Sequence, residues 1–243
     1  MLKRLGIALF WLAAWQALAM LVHNPILLVG PWETLGALVR MLPTAEFRLA
    51  VWGSLLHILG GFLLGAALGF GLALLSYARP FLRTLLSPVI GVMKAVPVVS
   101  FVVLVLIWAG SRGLSLYVTA AVVLPILYLN TLEGLLGTDP KLLEVAEVYR
   151  MKYPARLRGI YLPQLRPQLL GALELAVGMA WKSGVAAEVI GQPVGSLGNS
   201  LYRAKIYLET DKVLAISVVT ALLSWGLGRL ALLPMKRGER RKP

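Results

Sequence analysis

The sequence predicts an all-α membrane protein of six transmembrane helices, with a helix–turn–helix loop on the inner side and a short interfacial helix outside. Three observations carry that prediction. Of 243 residues, 58% are hydrophobic and 14% charged, with a mean hydropathy of +0.79. Soluble domains carry charge at about a quarter of positions, and a soluble core of this length cannot hide so much apolar surface. The apolar residues fall in six blocks, and about 20 such residues cross a bilayer core. Finally, the 24 Lys and Arg residues are distributed unevenly between those blocks.

Taken in order, the blocks are 5–22, 49–78, 85–109, 114–136, 168–190 and 213–233, and the chain reads as one transmembrane domain over 1–243. Met1-Leu2-Lys3-Arg4 ahead of the first block, and Ala17-Leu18-Ala19 near its end, have the form of a cleavable signal. With five more blocks following, an uncleaved first span is the expectation. The second block lacks Lys, Arg, Asp and Glu and exceeds a straight crossing, so it tilts or projects beyond the bilayer. Its Gly61, Gly65 and Gly69 share one helical face, where small residues let backbones approach. Pro97 and Pro125 interrupt the third and fourth blocks, and each permits a kink.

With the N-terminus inside, 15 Lys and Arg fall on inner segments, among them Lys3, Arg79, Arg83, Lys141, Arg150 and the tail up to Lys242. Six fall outside (Arg40, Arg48, Arg112, Arg203, Lys205 and Lys212), and Lys94, Lys182 and Arg229 lie within blocks. Positive residues are retained on the cytoplasmic side, so both termini are expected there. The same distribution argues against nucleic-acid binding despite a net charge of +13, since no soluble element gathers the cations. There is no cysteine, and His23 and His57 are far apart, which leaves no local metal-ligand set. Neither is there a credible nucleophile–base pair, which argues against a membrane enzyme.

Between the first two blocks, Gly30-Pro31-Trp32-Glu33 opens a short helix through about Met41, with proline at its first position and an acid in its first turn. It is expected along the outer surface with Trp32 at the interface. On the inner side, Asp139 caps a helix beginning at Pro140. Leu142, Val145, Ala146 and Tyr149 share one face of that helix, and Glu144 and Glu147 precede Arg150 and Lys152. Pro154 starts a second short helix, Ala155 to Leu162, that ends at Pro163 before the fifth block. By itself this loop is either an ordinary positive inner loop or a docking element for a cytoplasmic partner.

Permeases of binding-protein-dependent ABC importers carry an inner motif written E-A-A-x3-G-x9-I-x-L-P, and this loop resembles it. Glu144-Val145-Ala146 and Ile160-Tyr161-Leu162-Pro163 match both ends at the right spacing, with Val145 for the middle alanine and Arg150 for the glycine. The similarity is greatest to the nitrate/sulfonate/taurine branch. Gly30-Pro31-Trp32-Glu33, the glycine-rich second block, Ala180-Trp181, Ala187-Glu188 and Gly191 resemble the same regions of that branch, over about residues 27–232.

The resemblance implies a bacterial inner-membrane permease subunit of an importer. Its coupling loop, about residues 138–163, would include Glu144, Ala146, Glu147, Arg150, Ile160, Leu162 and Pro163. No G-x-x-x-x-G-K-[ST] phosphate loop occurs, so ATP is expected on separate ATP-binding-cassette ATPase subunits, with no cofactor on this chain. Further partners implied are an extracytoplasmic substrate-binding protein, membrane lipid and a second permease copy forming the path along a shared interface. An ion-gradient-driven secondary transporter is the alternative; it explains the spans but not the loop.

Lys94, Glu133, Glu174, Lys182, Glu188 and Arg229 are charges in or at the ends of blocks, and each should face a cavity, a partner or an interface. Glu174 and Lys182 are too far apart on one helix to pair, at about 12 Å of axial rise. Lys94, Trp181, Lys182 and Glu188 are the candidates for the translocation path. The two lysines either attract an anionic solute or neutralise Glu133, Glu174 or Glu188 on neighbouring helices. Arg229 is expected to snorkel toward the inner surface.

Overall fold

The computed structural model describes residues 2–237, and the side chains within that range except those of residues 2, 4 and 230–237. Arg240, Arg241 and Lys242 of the expected inner cation set lie outside the described residues, as does Met1. Every regular element is a helix among the described residues. The order is α1 (Leu2–Val22), α2 (Pro31–Met41), α3 (Ala45–Ala78), α4 (Pro80–Ala95), α5 (Val98–Ala109), α6 (Leu114–Leu136) and α7 (Pro140–Val148). There follow α8 (Tyr153–Arg156), a π-turn (Leu157–Tyr161), α9 (Leu162–Gly191), α10 (Leu197–Ile206) and α11 (Thr210–Arg237). Five of these runs are long and apolar enough to cross a membrane, and α4 with α5 makes a sixth if the bent pair counts as one span.

The core is the sandwich of α3, α6 and α9. Helix α6 is the most buried of the spans, packed between the other two. The glycine row of α3 faces α6: a Cβ on Gly61 would collide with the Leu116 carbonyl, and on Gly65 and Gly69 it would lie 2.7 and 2.6 Å from the carbonyls of Ala120 and Leu124. Without a hydrophobic drive between helices in lipid, such backbone proximity supplies the dispersion contact that holds them together. Thr44 begins α3 by accepting a hydrogen bond from the Phe47 amide at 3.3 Å, and the 34 residues give a rod of about 51 Å, longer than the hydrocarbon is thick.

The third block is not one kinked span. Helices α4 and α5 meet at 103°. Val96, held before a proline, is extended at φ −72° and ψ 130°, and Pro97 has no amide to continue the ladder. Neither half, at about 24 and 18 Å, spans a core of about 30 Å alone. Pro125 behaves differently: α6 runs unbroken through it, with Pro125 itself buried among its neighbours. The expectation at the fifth block is also corrected. The chain from Tyr153 to Gly191 is one continuous helix, because the backbone widens into the π-turn and slips register by one residue just before Pro163. The Leu162 amide bonds back five residues to the Leu157 carbonyl, and Pro163 follows directly, where the widened register takes up the amide that proline lacks.

At the end of the bundle opposite α7, α2 buries Thr34 and Ala37, leaves Trp32 exposed and packs on α11. The sequence patterning gives no helix between the fifth and sixth blocks, but α10 is there, capped by Ser196, whose hydroxyl accepts from the Asn199 amide at 3.1 Å. Three ion pairs tie this end together: Arg40–Asp211 at 3.1 Å, Arg203–Glu46 at 2.6 Å and Lys212–Glu209 at 2.6 Å. Helix α1 buries none of its apolar window in the chain; Trp15 donates to the Val29 carbonyl at 3.0 Å beside α2.

Candidate coupling turn and polar groups of the bundle

Helix α7 starts as its sequence directs, with the Asp139 carboxylate accepting from the Lys141 amide at 2.9 Å and Pro140 in the first turn. Its end is a Schellman turn: the Arg150 amide bonds the Glu147 carbonyl and the Met151 amide bonds the Ala146 carbonyl, both at 2.9 Å. Closing that turn requires a left-handed residue, and Arg150 takes it with φ +47°. The motif's glycine is therefore explained by backbone geometry, and this chain keeps the geometry with an arginine. A side chain in the left-handed region costs about 1–2 kcal/mol.

Compensating contacts surround the turn. The Arg156 guanidinium donates through Nε to the Met151 carbonyl at 3.0 Å and through Nη2 to the Ala146 carbonyl at 3.3 Å. The Asp139 amide donates to Gln164 Oε1 at 3.0 Å, so α7 is fastened at both ends to the helix that continues into α9. Beside the π-turn, the hydroxyls of Tyr77 and Tyr161 are 3.1 Å apart and their rings meet edge-on, which ties α3 to the same block.

The apolar face of α7 is mostly exposed. Ala146 is fully buried, but Leu142 is 40%, Val145 48% and Tyr149 77% exposed, and Val148 adds another uncovered apolar side chain at 80%. Glu144, Glu147 and Arg150 are exposed on the same short helix and its turn. Of the second half of the motif, Ile160 is buried, whereas Leu162 and Pro163 are exposed. The turn thus unites Ala146, Arg150 and the start of the α9 helix through Arg156. The sequence reading missed Arg156 and Gln164, whose side chains carry no signal in the spacing.

The intramembrane charges separate into two groups. Glu188 is 1% exposed: its Oε2 accepts from Ser54 Oγ at 2.6 Å and from the Gly198 amide at 3.2 Å, while the Leu197 amide donates to Ser54 Oγ at 2.8 Å. A Cβ on Gly198 would collide with that of Glu188. The carboxylate thus joins α3, α6, α9 and the start of α10, and its partners are the hydroxyls of Ser54 and Ser115 and an amide rather than a lysine. Ser54 is placed on the stripe that continues through Ile58 to Gly61, a four-and-three spacing legible in the sequence. Trp181 is likewise buried and lines an apolar cavity of about 290 Å³ with Ile58, Phe62 and Leu227.

Lys94, Glu133, Glu174 and Lys182 are exposed on the single chain, and no ion pair joins them among the described residues. Lys94 and Glu133 line one cavity of about 300 Å³ between α4 and α6, together with Arg83, Ser87 and Tyr128. Glu174 and Lys182 share an uncovered face of α9 with Gly171 and Gly178, beside which nothing lies within 4 Å of an added Cβ. Arg229 stacks its guanidinium on the Trp225 ring at 4.6 Å.

This architecture has known counterparts. The chain is 29% identical to SsuC of Bacillus subtilis (strain 168), a permease named for aliphatic sulfonate transport, over 87% of this chain and 77% of the relative. It is 26% identical to TauC, the taurine transport system permease protein of Escherichia coli (strain K12), over 89% and 82% of the two chains. A crystal structure of a bacterial ABC transporter involved in alginate import shares the fold, with a TM-score of 0.67, 16% identity and coverage of 98% of this chain and 93% of that one. Residues 61–241 match the binding-protein-dependent transport system inner membrane component family, a stretch that holds α4 through α11, the Arg150 turn and Glu188 itself. The chain belongs to that family of ABC-importer permeases.

Proposed function

We propose that this chain moves a small solute into the cell by alternating access, driven by ATP hydrolysis on a separate cassette subunit that docks on α7. The observation that carries this reading is the turn at Arg150. The motif's left-handed geometry is kept at φ +47° although the residue is not glycine, and the helix before it presents Val145, Val148 and Tyr149 uncovered beside Glu144 and Glu147. Large apolar side chains gathered on one exposed helix mark a surface meant for a partner. Since α7 is fastened to the α9 helix at both ends, a displacement of α7 is carried into the membrane as a rigid-body movement.

The same reading puts both termini and α7 in the cytoplasm, following the charge asymmetry, and α2 with α10 on the side where a binding protein delivers solute. A second copy of the chain meets the uncovered face of α9. Charged side chains there cannot face lipid without large cost, so Glu174 and Lys182 are best accommodated along a shared, wet interface. Lys94 and Arg83 give the α4–α6 cavity a net positive lining even with Glu133 present, which suits a small anion; SsuC and TauC are named for sulfonate and taurine transport.

Glu144→Ala tests the proposal. In the reconstituted complex, the ATP hydrolysed per solute imported should rise severalfold while ATPase subunits still co-purify. If transport and stimulated hydrolysis both survive unchanged, α7 is not the coupling element.

A further inference from the structure

We infer that Arg156 is the positioning residue of the coupling turn, and that the chain depends on it because arginine rather than glycine occupies the turn's left-handed position. This rests on the proposed coupling role of α7. Three observations point to it. The turn must hold a side chain at φ +47°, which disfavours the closed conformation by roughly five- to thirty-fold relative to a relaxed backbone. Two carbonyls bracket that residue in the turn, Ala146 before it and Met151 after it, and the Arg156 guanidinium holds both, at 3.3 and 3.0 Å. Ala146 is fully buried, and its carbonyl, already bonded by the Met151 amide, has Arg156 as a second donor.

The geometry is that of a clamp. Arg156 sits at the last position of α8, immediately before the π-turn, and reaches backward across the loop. A planar fork bridges two carbonyls at once; an ammonium on a flexible stem holds one at a time. The clamp therefore does two things: it closes the strained turn, and it transmits the position of the α7 C-terminus to the helix that becomes α9. Gln164 provides the matching tie at the other end of α7, on the Asp139 amide. In a chain with glycine at position 150 the turn closes without help, and the clamp becomes dispensable. The replaced glycine and the guanidinium are two halves of one arrangement.

A double-variant cycle tests this, with ATP consumed per solute imported as the readout and co-purification of the ATPase as the check on assembly. Arg156→Ala should raise that ratio on the order of tenfold, as expected for losing two charge-assisted hydrogen bonds from a marginal turn. In the Arg150→Gly background the same substitution should raise it by no more than about threefold. Arg156→Lys should recover less than half of the coupling, because charge without the fork does not span both carbonyls. Equal effects of Arg156→Ala in both backgrounds, or full rescue by Arg156→Lys, would overturn the clamp. If Glu144→Ala also leaves the ratio unchanged, the coupling reading itself fails; if Glu144→Ala uncouples and Arg156→Ala does not, the fault lies with the clamp alone. Should Arg156→Ala abolish assembly, Arg156→Gln, able to donate to one carbonyl, takes its place in the cycle with the same ordering between backgrounds.

Discussion

Two glycines of α3, six residues apart, should respond to the same substitution with opposite signs. At Gly65 an added Cβ lies 2.7 Å from the Ala120 carbonyl oxygen and 3.0 Å from both the Ala120 Cα and the Val123 Cβ. Two of these three atoms are backbone of α6, which cannot step aside as a flexible side-chain end can. The helices must separate by several tenths of an ångström, and that loosens the contacts shared by the neighbouring Gly61 and Gly69. Overpacking of this kind costs about 1–3 kcal/mol. At Gly71 the added Cβ meets nothing within 4 Å, so the same change acts only on backbone freedom and stabilises the helix by roughly 0.5–1 kcal/mol. The gain in backbone rigidity is common to both positions, so Gly65→Ala and Gly71→Ala should differ by the overpacking cost of about 1–3 kcal/mol. The thermal unfolding midpoint of the purified chain in a single detergent reads this out, with Gly65→Ala lowered by several degrees and Gly71→Ala unchanged or raised. If Gly65→Ala proves as benign as Gly71→Ala, backbone proximity is not what holds α3 on α6.

Two further outcomes follow from the opposite end of the bundle. Glu188→Ala removes the acceptor of the Gly198 amide and of Ser54 Oγ, at a cost of roughly 2–3 kcal/mol, and should release α10; amide hydrogen exchange across 197–206 should accelerate, and unchanged protection would refute the network's anchoring role. Arg203→Ala breaks an ion pair with Glu46 whose side chains are 55% and 74% exposed, so it should cost less than about 1 kcal/mol, and a larger loss in the same unfolding assay would show that the pair holds α10 in place.

Much of the fold was legible because membrane spans announce themselves by composition. The second and fourth blocks became α3 and α6 nearly as read, and the Gly61, Gly65 and Gly69 row found its partner helix. Two prolines of the same apparent meaning then diverged. Pro97 broke its block by 103°, while Pro125 left α6 continuous. What separates them is tertiary: α6 is held on both sides by α3 and α9, whereas the residues around Pro97 are largely exposed. Pro163 likewise looked like a stop and became part of a helix, since a π-turn absorbs a missing amide in a way that no local propensity reports.

At the candidate site, the motif ends and the cap at Asp139 were visible in the spacing. The meaning of Arg150 was not, because a substitution for glycine says nothing about whether the backbone still turns. Arg156 was hidden for a related reason: its hydrogen bonds go to carbonyls, which every residue has. Helical spacing on α7 placed Leu142, Val145 and Tyr149 on one face, and the structure leaves all three uncovered. Periodicity identifies an apolar face but not whether its partner is the same chain.

The most direct measurement is solute uptake by proteoliposomes containing this chain with its ATPase and binding protein, energised either by ATP or by an imposed ion gradient. Uptake should require ATP and the ATPase together, and be abolished when the ATPase is omitted, whatever the gradient. Gradient-driven uptake by the chain without the ATPase would contradict the account and make this a secondary transporter.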